Sequence, residues 1–311
     1  KKLYAVDIAT KSLKGSWTIP QTCSNSNDVM NFGLKYYQGN VYIGQVCTAQ
    51  TTQNATDLKA TVYKFDGNGF TSVLSFPLNY PRGFSHQWCG PIPWKPWLSN
   101  WPSSFGSCAT TEIAYPQPML SDIEFNPSNG YMILGMRDRM GDLGGLAQYG
   151  PSGTTLYQVY AAGDILMASP ATSGTFTLEN NGTVGGLSGS GGGNNQGPGG
   201  GEFFSDNMIY ATGSEIHQEV TTGGLALLPG SNNVVTTVYD PLNNTDRVAT
   251  GGIRKLSTQN GSLVDGFLIY NAQDPGVYGK SNGLGDLELL CDPAPIEIGN
   301  RVWKDTNNNG V

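Results

Sequence analysis

Apolar and polar positions alternate in short runs over most of the chain, and turn residues separate the runs. Leu3-Tyr-Ala-Val-Asp-Ile8 leads through a polar turn to Gly15-Ser-Trp-Thr-Ile19, and Thr61-Val-Tyr-Lys-Phe65 leads through Asp66-Gly-Asn-Gly69 to Ser72-Val-Leu-Ser-Phe76. The design recurs at Asp122–Phe125 with Tyr131–Met136, and at Asp164–Met167 with Gly174–Leu178. It returns at Gly224–Leu228 with Val234–Tyr239, and at Ile253–Leu256 with Gly266–Tyr270. Each pair reads as an antiparallel hairpin. Period-two alternation turns one face inward, while Asn-Gly and Pro-Gly supply the backbone angles of a tight turn. No run carries the three-to-four-residue spacing of an amphipathic helix. The pattern predicts an all-β chain.

Six hairpins along one chain suggest a repeat architecture. The form Ile-x-Phe-Asn-Pro-x-x-Gly-x-Met-x-x-Gly resembles the inner strands of β-propeller blades, and Leu-Tyr-x-Val-Asp…Gly-x-Trp resembles outer ones. Paired in this way, the hairpins give four-stranded antiparallel blades at 33–78, 121–178 and 203–270. The hairpin at Leu3 lacks an inner pair, and Gly285–Leu290 is a candidate to close the ring against it. Residues 1–292 are therefore expected to form a β-propeller-like head, with a large β-sandwich as the alternative. Blades around an axis leave only short protected edges.

Two irregular segments interrupt the pattern. Tyr80–Pro118 holds Trp88, Trp94, Trp97 and Trp101 among prolines. These rings are candidate sugar-stacking surfaces or, alternatively, packing residues. Gly182–Gly201 contains glycine runs that read either as a flexible loop or as close backbone packing. Pro293 and Pro295 mark a linker over 293–297, followed by a separate segment over 298–311.

Composition narrows the function classes. Only 13% of residues are charged and the net charge is −7, so no basic stripe exists for a phosphate backbone and nucleic acid is excluded as a partner. No run of about 18 apolar residues crosses a membrane. No signal peptide is visible, and a start at Lys1 just before strand-like sequence fits one already removed. Cys23, Cys47, Cys89 and Cys108 lie in loop-like surroundings and read as Cys23–Cys47 and Cys89–Cys108 disulfides, worth about 3 kcal/mol each if unstrained. The alternative is that all the cysteines are reduced and buried. Cys291 is left over. Sequons at Asn54, Asn181, Asn243 and Asn260 give weak support for export.

The chain closes on Ile296-Glu-Ile-Gly-Asn-Arg-Val-Trp303 and Lys304-Asp-Thr-Asn-Asn-Asn-Gly-Val311. Asp305, Asn307 and Asn309 stand at alternate positions before a glycine, the spacing by which oxygen side chains converge on a hard cation. A plain turn after a strand is the alternative. Residues 298–311 resemble the opening of a B-type repeat of the serine-aspartate repeat (SdrD B-like) domains, calcium-stiffened β-sandwich modules strung as stalks on bacterial surface proteins. The resemblance implies calcium as cofactor, with Asp305, Asn307, Asn309 and the Val311 carbonyl as ligands. It also implies an extracellular or cell-surface setting for a head carried on a stalk.

Enzymatic signals are sparse. Asp122 with Glu124, and Asp138 between Arg137 and Arg139, are carboxylates that at a propeller axis could hydrolyse glycosides. A structural ion pair is the stronger reading of Asp138. His86 and His217 have no nucleophile motif beside them, and no Gly-x-Ser-x-Gly elbow, P-loop or His-Glu-x-x-His occurs. The expected function is non-enzymatic: a structural head whose partners are copies of itself or neighbouring surface proteins. Ile296, Ile298, Val302 and Trp303 would add as a strand to another subunit's sheet. A glycan-binding adhesin head using Trp88–Trp101 is the alternative.

Overall fold

A two-stranded hairpin, β1 (Lys2–Val6) and β2 (Leu13–Thr18), precedes three antiparallel four-stranded sheets. The first sheet is β3 (Val29–Tyr37), β4 (Asn40–Cys47), β5 (Lys59–Phe65) and β6 (Phe70–Pro77), in that spatial order. The second contains β7 (Pro118–Phe125), β8 (Met132–Asp138), β9 (Asp164–Pro170) and β10 (Phe176–Leu178). The third contains β11 (Thr221–Leu227), β12 (Asn233–Tyr239), β13 (Gly251–Ser257) and β14 (Leu263–Tyr270). This computed structural model describes residues 1–102, 108, 111–227, 229–243, 250–271, 279–281 and 283–290. The fold is all-β, built of blade-like antiparallel four-stranded sheets as the hairpin pattern predicts.

The second sheet lies between the other two. Opposed residues of an antiparallel pair point to the same face, so register assigns the faces. Ile123 opposes Leu134, and Leu134 opposes Leu166. This face packs on Val46, Val62, Leu74 and Phe76 of the first sheet. Ile133 opposes Met167 on the other face, which packs on Leu225, Leu227, Val234 and Leu256 of the third. That is why Met132-Ile-Leu-Gly-Met136 reads as continuous apolar sequence rather than alternating: both faces leave water. Gly135 sits where the backbones of the second and third sheets meet, and a Cβ there would fall 2.3 Å from the Gly223 carbonyl oxygen.

The hairpin lies on the far side of the first sheet. Ile19 and Leu3 pack with Ile43, Tyr63 and Phe70, and the Trp17 ring lies 4.8 Å from Phe65. Cys23–Cys47 and Cys89–Cys108 are bonded, the two pairs expected from the sequence.

Two boundaries differ from the expectation. The third sheet begins at Thr221, not 203, because residues 203–217 bury Phe203 and Phe204 beneath the glycine loop and form only a short ladder of Met208–Ile209 with Glu215–His217. Residues 283–290 contain no strand; they lie along the inner strands, where Arg137 Nη1 donates to the Leu284 carbonyl at 2.8 Å.

Candidate functional site

The excursion that follows β6 drives a guanidinium into the centre of the molecule. Arg82 is buried, its ring-side face 3.8 Å from the Trp94 centroid. Its Nη2 donates to the carbonyls of Ala162 (2.9 Å) and Gly163 (2.6 Å) and to Glu219 Oε2 (2.6 Å). Tyr80 OH donates to Asp164 Oδ2 at 2.7 Å and accepts from Trp94 Nε1 at 3.0 Å. Asp206, Glu179 and Glu202 are buried near the same charges. Carboxyl groups outnumber cations here. Burial pushes Asp164 up to about 6 and raises Glu179, Glu202 and Glu219 well above the carboxylate range. Acids buried in this sealed core work as hydrogen-bonding struts. Glu179 accepts from the Phe203 amide and Glu219 from the Gly83 amide, fastening the glycine segment and the excursion to the sheets.

A second buried network closes the end of the third sheet. Lys280 Nζ contacts Asp240 Oδ2 and lies 2.5 Å from His217 Nε2, while His217 Nδ1 faces the Ser85 carbonyl. The carbonyl requires a proton on Nδ1, which leaves Nε2 to accept from the ammonium, so His217 is neutral. Burial, then the Lys280 charge, lowers its pKa accordingly. Arg254, buried on β13, donates to the carbonyls of Asp206, Asn207 and Pro241. The glycine segment is close backbone packing. A Cβ at Gly189 would lie 2.2 Å from the Phe203 carbonyl, and Gly199 holds a φ of +73° against Asn180.

The four excursion tryptophans divide. Trp94 and Trp97 are buried, and Trp97 Nε1 donates to the Pro118 carbonyl at 3.0 Å with Arg139 stacked on its ring, so both pack rather than present a surface. Trp88 is 63% exposed and rests on His86 at 4.4 Å. Burial, with the neighbouring His217 second, depresses His86 to about 3. Trp101 and Tyr115 line a cavity of ≈ 360 Å³ with Gln50, Gln53, Ser99 and Asn100. Among the described residues this open recess holds aromatic rings, carboxamides and a hydroxyl and no charged side chain, a set suited to a neutral polyhydroxylated ligand.

The carboxylates considered for glycoside hydrolysis are engaged otherwise. Asp122 and Glu124 share the β7 face that looks toward the third sheet. Asp122 accepts from the Leu225 amide at 2.7 Å and the Ile123 amide at 2.7 Å; burial and then a hydrogen bond with Asp286 raise it to about 8. Glu124 pairs with Lys35 at 2.5 Å. Asp138 is held by backbone contacts that its arginine neighbours did not suggest. It accepts from the amides of Gln117, Met140 and Ala162, capping the short helix Arg139–Gly144, while Arg137 pairs with Asp142 at 2.8 Å. Three backbone donors hold its carboxyl, and burial still pushes Asp138 up to about 7.

Asp305, Asn307, Asn309 and Val311, the strand positions Ile296, Ile298, Val302 and Trp303, and Cys291 lie outside the described residues. Among the described residues, no group of three or more His, Cys, Asp or Glu side chains converges to hold a metal. The sequence reading missed Arg82, Asp164, Glu219, Asp240 and Lys280. In so lightly charged a chain, a carboxylate heading an all-apolar strand, as in Asp164-Ile-Leu-Met167, was the available signal.

No protein-family model matches the chain. It is similar to four proteins of Dictyostelium discoideum, colossin-A to colossin-D. Colossin-B is 35% identical over 295 residues, which cover 90% of this chain and 7% of that protein. Colossin-A is 31% identical over 95% of this chain and 2% of its own length, and colossin-C is 31% identical over 93% and 27%. The chain thus spans a small fraction of these relatives. A solved GH43_1 enzyme from Xanthomonas citri aligns over 78% of this chain and 74% of its own at 9% identity, but a TM-score of 0.25 carries no argument about fold or activity. The bacterial origin and the SdrD B-like assignment drawn from residues 298–311 are overturned, because similarity over nearly the whole chain leads to eukaryotic proteins.

Proposed function

We propose that the chain is an extracellular, non-catalytic structural module of a much longer protein. The observation that carries this reading is the near end-to-end similarity to a small part of proteins many times its length. Two disulfides fit an oxidising compartment. The carboxylates that could have served catalysis are committed to backbone amides, to Lys35 or to the sealed core. Its partners on this reading are copies of itself or neighbouring surface proteins. The test is to locate the native protein and alkylate its thiols. Surface or medium localisation with Cys23, Cys47, Cys89 and Cys108 all blocked is the expected result. A cytosolic protein with these thiols free would overturn it.

A second reading, a glycan-binding head, is favoured by the Trp101 recess alone. Glycan-array binding by the wild-type chain that Trp101→Ala abolishes and Trp88→Ala preserves is the expected signature. An array with no signal above background removes this reading and leaves the structural one intact.

A further inference from the structure

The three sheets stack in a row, and the ends of the row are not equally covered. On the first sheet, Leu34 opposes Ile43 and Tyr36 opposes Val41, so these four side chains share the face on which the hairpin lies. The hairpin covers Ile43, but it stops short of β3: Leu34 is 59% and Tyr36 70% exposed. On the third sheet, Val235 opposes Lys255 and Ile253 opposes Phe267 on the face turned away from the second sheet, and Phe267 is 51% exposed. The hairpin itself remains a two-stranded sheet, and such a pair has little stability without further strands. It has the shape of the outer half of a blade whose inner half is missing.

One cleft joins the two ends of the row. Tyr36 and Tyr37 of the first sheet, Phe125 of the second, and Ala226 and Leu227 of the third line a space of ≈ 390 Å³, and Leu289 reaches into its edge. The chain arrives there along the inner strands. The Leu284 carbonyl is held by Arg137, Asp286 lies against Asp122, and Leu290 projects wholly into solvent.

We propose that this cleft is a strand-docking site and that its occupant is Ile296–Trp303 of the same chain, laid down as an inner strand beside the hairpin. Three things on the molecule favour this occupant. The chain already enters the cleft at Glu288 and Leu289. The six steps from Leu290 to Ile296 reach about 20 Å when extended. The segment Ile-Glu-Ile-Gly-Asn-Arg-Val-Trp would put Ile296, Ile298 and Val302 on one face of a strand, with Asn300 between them. Docking would cover Leu34 and Tyr36 and add a third strand to the marginal pair. The inference is independent of where the protein acts and of what the Trp101 recess binds.

Hydroxyl-radical footprinting of the full 311-residue chain tests it. Tyr36 should label at least fivefold more slowly than Tyr149, which is similarly exposed, and should recover the Tyr149 rate in Ile298→Asp/Val302→Asp. Tyr36 labelling at the Tyr149 rate in the unmodified chain overturns the proposal. A photo-crosslinker at Val302 supplies a readout that does not depend on the stability of that variant. Crosslinks to residues 29–37 within the monomer band support intrachain docking. Crosslinks confined to a dimer band overturn it in favour of a second copy as the strand's receiver, and an absence of crosslinks to either wall overturns it outright.

Discussion

Leu134 and Leu34 are the same residue on two β-strands and live in opposite conditions. Leu134, on β8, is wholly buried between the first and second sheets, while Leu34, on β3, is left bare beside the hairpin. The difference lies in the number of covered faces. The second sheet has a neighbour on each side and can dispense with polar residues; the first has one complete neighbour and half of another. Stability is therefore concentrated in the middle of the row and thins toward its ends.

The sharpest way to break this contrast is to attack what pins the middle. Arg82→Met would leave Glu219 and Asp164 buried without their cation and should destabilise the fold by about 3–5 kcal/mol, read as a lowered denaturant midpoint. Leu134→Ala comes next: a cavity between two packed sheets should cost about 3 kcal/mol. Unchanged unfolding in either variant would mean that the middle is not the stable part.

Proton linkage gives a smaller, distributed effect. Asp122, Asp138 and Asp164 have folded-state values of about 8, 7 and 6, raised mainly by burial above the unfolded carboxylate range. A raised folded value means that the contribution is complete below the unfolded pKa near 4 and is lost as pH rises through 6, 7 and 8. Each such group tilts stability by about 1.4 kcal/mol per pH unit within its window. The neutral His86 and His217 oppose this below about 6.5, because they must charge on unfolding at lower pH. The melting temperature should therefore fall from pH 6 to pH 8.5, and Asp138→Asn should flatten the part of the slope near pH 7. A melting temperature that rises over that range would refute the assignment.

The smallest effect probes the end of the row. With the cleft occupied, Leu34→Ala should cost about 1 kcal/mol, and in the Ile298→Asp/Val302→Asp background it should fall within about 0.5 kcal/mol. Equal values in the two backgrounds would leave the end of the row open.

The strands were legible because their signals are local. Asn126-Pro-Ser-Asn-Gly130 demands a turn: the Gly130 amide closes it onto the Asn126 carbonyl at 2.7 Å, with φ +71° at the glycine. The hairpins of the second sheet were legible as short apolar runs bounded by turn residues. The polar core was not legible, because Arg82 meets Ala162, Gly163 and Glu219 only after three sheets have assembled, and nothing near Pro81-Arg-Gly83 announces them. Asp138 shows the same limit. Its sequence neighbours are arginines, yet besides the local Met140 amide it accepts from the Gln117 and Ala162 amides, which come from elsewhere in the fold. The tryptophans could be read as a cluster, but which of them face inward depends on where Pro118 and Arg139 arrive.

Arg82 and Glu219 stand 137 residues apart. That separation carries a consequence for the order of events in folding. Contacts within a hairpin close short loops and form early, whereas this ion pair waits for one of the longest loops in the chain. Until the third sheet docks, Arg82 lacks its Glu219 partner and stays partly hydrated. The guanidinium thus acts as a late checkpoint: a chain that has built its first two sheets but not its third retains a charge it cannot bury. Unfolding should in turn release this network and the Cys89–Cys108 excursion together, as one cooperative step.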